Sequence, residues 1–346
     1  MLFSVEEDAG DVITGYLVPD TFAGLATLTL SVDGQEIITL QTNELRSSLV
    51  DARRHATGLC GFKIDTNILP NLRHVENLEI YAKDPGILIY RRPSSQFIAK
   101  RIVRIETHLL PLLGLDRAFG NSFQYFYSNA DRYGRETVDQ LFHLKNTQSF
   151  YMSGRILVRS YEHLLDENTN IVVVLRKPQF ELAERILLLR HAASMNEDIL
   201  NVRDNFLFQA ALEFSQGLNL TNTRALSKSF KRISSAVAST FSNPLTRALA
   251  AQFADEPLYD GSVATALSTL ASCTVVGLRS DFDSFVEDLC SITGCRASSI
   301  PSFPEYDRVA ELGTRLVQIK AANRLLEKDI QLYSAVLNAR EKANYN

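Results

Sequence analysis

Between residues 11 and 91 the apolar positions come in short runs bounded by turn formers. Residues 12–18, 25–32 and 35–40 are rich in β-branched and aromatic side chains, which predicts strands. Asp33-Gly34 joins the second and third of these, and Gly34 supplies the positive φ that a two-residue hairpin turn demands. Residues 59–64, 76–82 and 87–90 continue the pattern, with a second turn at Asp84-Pro85-Gly86. Short strands with no long helix between them predict a small antiparallel β-sandwich.

After Arg91-Arg92-Pro93-Ser94-Ser95 the spacing changes from two to about three and a half, so a domain boundary is expected there, dividing 1–93 from 94–346. Residues 96–144 read as mostly helical, broken near Pro111 and Gly120. A short buried strand is expected over 149–152 and a helix over 155–165. Residues 171–175 (IVVVL) are apolar and mostly β-branched, as suits a parallel strand covered on both faces. The following helix begins at Pro178 and carries a broad apolar face through Phe180, Leu182, Ala183, Ile186, Leu187 and Leu189. Residues 274–278 (TVVGL) repeat the motif, followed by an amphipathic stretch over 281–292. Repeated strand-to-helix units predict an α/β domain with a parallel sheet and abundant helix. From 305 to 339, Val309, Leu312, Leu316, Ile319, Asn323, Leu326, Ile330, Tyr333 and Leu337 recur at steps of three and four. Read as one helix, this is a coiled-coil seam through which two copies could pair, and an intramolecular helical hairpin uses the same spacing.

Composition narrows the function classes. The chain has 346 residues, and 36 Lys plus Arg against 40 Asp plus Glu leave a net charge of -4, which gives no general attraction to nucleic acid. No apolar run approaches the ~18 residues needed to span a bilayer, so a soluble cytoplasmic protein is expected, at most peripheral to the inner membrane. Cys60, Cys273, Cys290 and Cys295 show no CxxC spacing and have no His nearby to complete a zinc set, so they read as reduced thiols, with no metal expected.

Two junctions concentrate candidate chemistry. Ser153-Gly154-Arg155 lies between an expected strand and an expected helix, where free backbone N-H groups would favour an anion. A plain N-cap with a solvated arginine would account for the same residues. Arg176-Lys177 follows the IVVVL strand, and Arg176 offers the forked geometry that grips phosphate or sulfate, unless a carboxylate such as Glu181 pairs with it. Glu162 and His163, on the helix after the first junction, are weaker candidates for a base that takes a hydroxyl proton. Arg224, Lys228, Lys231 and Arg232 form a basic cluster on a further helix, read either as a solvated face or as a surface for an acidic partner or lipid headgroups.

The run IVVVLRKPQFELAERILLLR resembles the strand, Arg-x-Pro turn and helix that bind the 3′-phosphate of the sulfuryl donor PAPS in sulfotransferases. TVVGLRSDFDSFVEDL and LLEKDIQLYSAVL are similar to the closing segments of carbohydrate sulfotransferases. This resemblance implies a P-loop-type, sulfotransferase-like fold, with PAPS as cofactor and Ser153, Gly154, Arg155 and Arg176 holding its anionic groups. Two departures stand out. Ser153-Gly154-Arg155 is shorter than the family's phosphate loop, and Glu184 stands where the family has a phosphate-gripping Ser. The N-terminal patterns ITGYLVPD, SVDGQEI and ELRSSLVDARRHATGLCGFKI look like a β-domain found beside bacterial polysaccharide-modifying enzymes. The resemblances therefore imply either sulfuryl transfer to a sugar hydroxyl of a bacterial surface polysaccharide, or a non-catalytic relative that binds a glycan or glycolipid after losing its donor site.

Overall fold

The computed structural model describes residues 1–144, 147–194 and 200–344. The protein is mixed α/β, with two small antiparallel sheets, a five-stranded parallel sheet and many helices. Its contacts define two compact units, Met1–Arg101 with Phe119–Met152, and Ile102–Ala118 with Ser153–Asn346. Neither coincides with a single cut after residue 93.

In the first unit Leu2–Asp8 (β1), Val12–Val18 (β2), Thr27–Val32 (β3), Gln35–Gln41 (β4), Glu44–Leu45 (β5), Leu59–Asp65 (β6), Leu78–Ala82 (β7) and Ile87–Arg91 (β8) form sheets of order β1-β2-β6-β5 and β4-β3-β7-β8. Every pairing in them is antiparallel. The alternation read from the sequence buries Ile13 and Leu17 on β2 and Ile80 on β7. At the β3–β4 hairpin Val32 pairs with Gln35, and Asp33 (φ 51°) and Gly34 (φ 77°) both take the positive φ of a type I′ turn. β1 is an addition to the predicted set, because its acidic second half hides an alternation anchored by the buried Phe3.

Arg101–Ile105 (β9), Tyr125–Tyr127 (β10), Phe150–Gly154 (β11), Thr169–Leu175 (β12) and Val275–Leu278 (β13) are ordered β10-β11-β9-β12-β13. β10–β11 and β12–β13 pair in parallel register. Along β9 and β11, Phe150 N donates to Lys100 O near one end and Glu106 N donates to Gly154 O near the other. β9 corrects the helical reading of residues 96–144. Its sequence RIVRI places two arginines in a central strand, where a long apolar run is the rule, and both are buried. Arg101 donates to Leu144 O (2.7 Å) and Thr147 O (3.0 Å), while Arg104 is held by carboxylates described below. The helix expected over 155–165 is also corrected: it is two 3₁₀ turns, Val158–Ser160 and Glu162–Leu164.

The helix Pro178–Ser194 follows β12 as expected. Its Leu182, Ala183, Ile186 and Leu189 enter a core with Leu226, Phe230, Leu312 and Leu316. The helix predicted after β13 spans Phe282–Thr293. Gly277 on β13 lets the strand approach it closely, because a Cβ there would lie 2.3 Å from the Phe285 ring. The single C-terminal seam is three helices, Asp307–Val317, Lys320–Leu325 and Glu327–Asn344. Leu312, Leu316, Ile319 and Leu326 lie in the core of their own unit. Asn323 accepts from Gln179 Nε2 (3.0 Å) and donates to Val317 O (2.8 Å), so this polar position of the seam is held within its own unit. No helix among the described residues is long and apolar enough to cross a membrane.

Candidate functional site

In a parallel sheet the carboxyl ends of the strands are where ligands gather. Here the ends of four successive strands carry charge: Arg155 follows β11, Glu106 follows β9, Arg176 follows β12 and Arg279 follows β13. β9 separates the two predicted junctions, which at about 4.8 Å per strand spacing stand roughly 10 Å apart.

The first junction differs from its reading. Ser153 and Gly154 are residues of β11 itself, both buried, with no helix beginning after them. The expected N-terminal amides and dipole are therefore absent at this place. Arg155 pairs with Asp204 at 2.5 Å. Ser153 Oγ is buried without a hydrogen-bond partner. Glu162 and His163 lie exposed on the second 3₁₀ turn, with Glu162 3.8 Å from Arg159.

Arg176 stands where the sequence places it and is only 5% exposed. Its guanidinium is enclosed by acid. Nη1 is 2.8 Å from Glu184 Oε2 and 4.0 Å from Glu181 Oε2, and Nη2 donates to Glu305. Of the two readings of Arg176, pairing with carboxylates is the arrangement present, in an internal ion cluster. Burial works against the charge on Arg176, but the surrounding carboxylates outweigh it and fix the proton more firmly. Burial, then repulsion from Glu181, raises the Glu184 carboxyl above its ordinary value despite Arg176.

The cluster extends through side chains that the sequence left unmarked. Arg104 donates through Nη2 to both Asp116 oxygens (2.8 and 2.9 Å) and through Nη1 to Glu106 (2.7 Å). Glu106 also accepts from His108 Nδ1 (2.8 Å), His108 N (3.0 Å) and Leu112 N (2.9 Å). Burial alone would raise the Glu106 carboxyl, yet Arg104 and His108 hold it well below the usual carboxylate range. For His108 burial favours the neutral ring, but the Glu106 hydrogen bond and charge win and raise its pKa. Glu181 accepts from Leu109 N (3.2 Å) and Arg185 Nε (2.8 Å).

Arg279 is the missed residue nearest to Arg176 in character. It follows VVGL as Arg176 follows IVVVL, and that repeat of an apolar run ending in arginine was the available signal. Its guanidinium carbon lies 5.3 Å from the ring centres of both Phe282 and Phe303. Burial, then the neighbouring charge of Arg176, lowers its pKa. Arg279 Nη1 and Arg176 Nε are both buried without a hydrogen-bond partner. Glu106 and His108 were hidden by the helical reading of β9, and Glu305 sits in a loop with no sequence pattern at all. Comparison with models of known families, with curated proteins and with solved structures finds no match for this chain.

Proposed function

We propose that this chain is a non-catalytic sulfotransferase-like protein, a binding or assembly module for a bacterial surface polysaccharide or its precursor. Its parallel-sheet unit would be a P-loop-type sulfotransferase-like fold, preceded by a β-sandwich and working in the cytoplasm or peripherally at the inner membrane. One observation carries the reading: Arg176, which matches the donor-binding arginine of the family, is already neutralised by Glu184 and Glu305. A phosphate brought beside these carboxylates would meet repulsion on the order of 4 kcal/mol per charge pair at about 4 Å. Calorimetric titration with adenosine 3′,5′-bisphosphate should therefore stay silent up to millimolar concentration, and micromolar binding would overturn the proposal. Glu184→Ser combined with Glu305→Gln should raise the affinity at least tenfold.

A second reading, sulfuryl transfer from PAPS to a sugar hydroxyl, is favoured by the orphaned N-H groups of Arg176 and Arg279. In it the donor's anion displaces Glu305, and Ser153, Gly154, Arg155 and Arg176 hold the donor. The unpartnered Ser153 hydroxyl supports the same reading. Arg176→Ala would then abolish nucleotide binding measured on the folded protein.

A further inference from the structure

Away from the strand ends, the helices of the second unit carry two grooves whose linings are neighbours in sequence, residues 217–221 and 308–315 in one and 223–231 and 318–319 in the other. The first, about 760 Å³, lies between the end of helix Pro178–Ser194, residues 217–221 and helix Asp307–Val317. Arg190, His191, Arg308 and Arg315 line it, with Glu311 the one carboxylate among its described residues. The second, about 430 Å³, lies between helix Thr223–Lys231 and Gln318 and Ile319, which follow helix Asp307–Val317 in sequence. Arg224, Lys228 and Lys231 line it, and no acidic residue does. These three recur at steps of four and three along helix Thr223–Lys231, with Leu226 and Phe230 of the same helix turned into the core. From Arg224 to Lys231 the helix rises roughly 10 Å, so the charges form a row.

The walls are fixed by the protein itself. Arg190 donates to Leu218 O (2.7 Å) and Arg315 to Leu220 O (2.8 Å), which pins the segment 217–221 that lines the first groove. Arg315 also meets Glu311 at 3.4 Å. Arg308, Arg224, Lys228 and Lys231 are exposed and make no ion pair among the described residues. A concentration of uncompensated cations on a chain of net charge -4 calls for an anionic ligand.

The rest of the lining selects its kind. Asn219, Thr221, Thr223, Ser227 and Gln318 set amide and hydroxyl groups among the cations. Such groups hydrogen-bond to sugar hydroxyls while the cations take carboxylate or sulfate. Neither groove has Phe or Tyr among its described lining, so the large aromatic platforms of single-strand nucleic-acid sites are missing there. Both are concave and lack the protruding apolar anchors of a membrane-surface helix. We propose that the two grooves together bind an acidic oligosaccharide chain, carboxylated or sulfated. Helix Pro178–Ser194 carries Arg190 and His191 about 20 Å along its axis from Pro178, and the grooves need no nucleotide at the strand ends. Micromolar binding of adenosine bisphosphate, which would overturn the reading above, therefore leaves this inference standing, as does silence.

The test is titration of the full chain with fluorescent polyuronate oligosaccharides, beside neutral dextran, phosphatidylglycerol vesicles and duplex DNA. Polyuronate should bind, dextran should not, and affinity should fall as salt rises. The combined variant Arg224→Glu, Lys228→Glu, Lys231→Glu, all at exposed positions, should weaken polyuronate binding at least tenfold with an unchanged melting temperature. Arg308→Glu, in the first groove, should weaken it independently. No binding of polyuronate at low salt, affinity unchanged from the unsubstituted chain in either variant, or tighter binding to vesicles or DNA would each overturn the proposal.

Discussion

A guanidinium removed from water has to be answered atom by atom, and Arg104, 1% exposed, is answered by Asp116 and Glu106. Removing one member of such a buried set leaves a charge without compensation, which costs about 3–5 kcal/mol. Glu106→Gln should therefore lower stability by about that amount in denaturant titration, and a loss below about 1 kcal/mol would mean that Asp116 alone suffices. Arg176 was legible at this scale because five apolar residues end at it. Its partners were legible only in part: Glu181 and Glu184 lie one and two turns along the next helix, whereas Glu305 arrives from a distant loop. A polar residue's burial depends on such distant partners, and no local window of sequence contains them.

At the scale of elements, two helices exchange caps. Asp329 accepts from Leu245 N (3.1 Å) and Thr246 N (2.7 Å) at the start of helix Pro244–Ala250. Asn243 Oδ1 accepts from Lys328 N (2.9 Å) and Asp329 N (3.2 Å) at the start of helix Glu327–Asn344. This exchange is one reason the C-terminal residues form separate helices, and periodicity could not show it, since steps of three and four run across the breaks. Burial raises the Asp329 carboxyl to about 6 even against its two backbone donors. The folded state therefore holds a proton that the unfolded chain releases near pH 4, and stability from this group declines as pH rises from about 4 to 6. Asp329→Asn keeps one oxygen acceptor and should flatten that part of the profile, read as denaturation midpoint against pH. Asp329→Ala should cost about 1–3 kcal/mol at any pH by orphaning both amides.

For the whole molecule these groups combine into a stability profile. Glu106, held low, adds stability above the ordinary carboxylate pKa, and that is lost as pH falls through its folded value. His108, held high, adds stability below about 6.5, lost as pH rises through its folded value. Asp329 and Glu184, both raised, weaken the fold as they ionise. The denaturation midpoint should thus peak between about pH 4.5 and 6 and fall toward pH 8, and a maximum at pH 8 would contradict this assignment of charges. The strands of the antiparallel sheets and the β12 and β13 motifs were readable because hydrophobic period is a local signal. The grouping of the units was not, since Phe119–Met152 joins Met1–Arg101 across an excursion that composition does not mark. That excursion has a consequence for synthesis on the ribosome. The first unit lacks part of its own chain until Met152 has emerged, so Ile102–Ala118, with the arginine, glutamate and histidine it carries, is translated well before most of the residues that will enclose it.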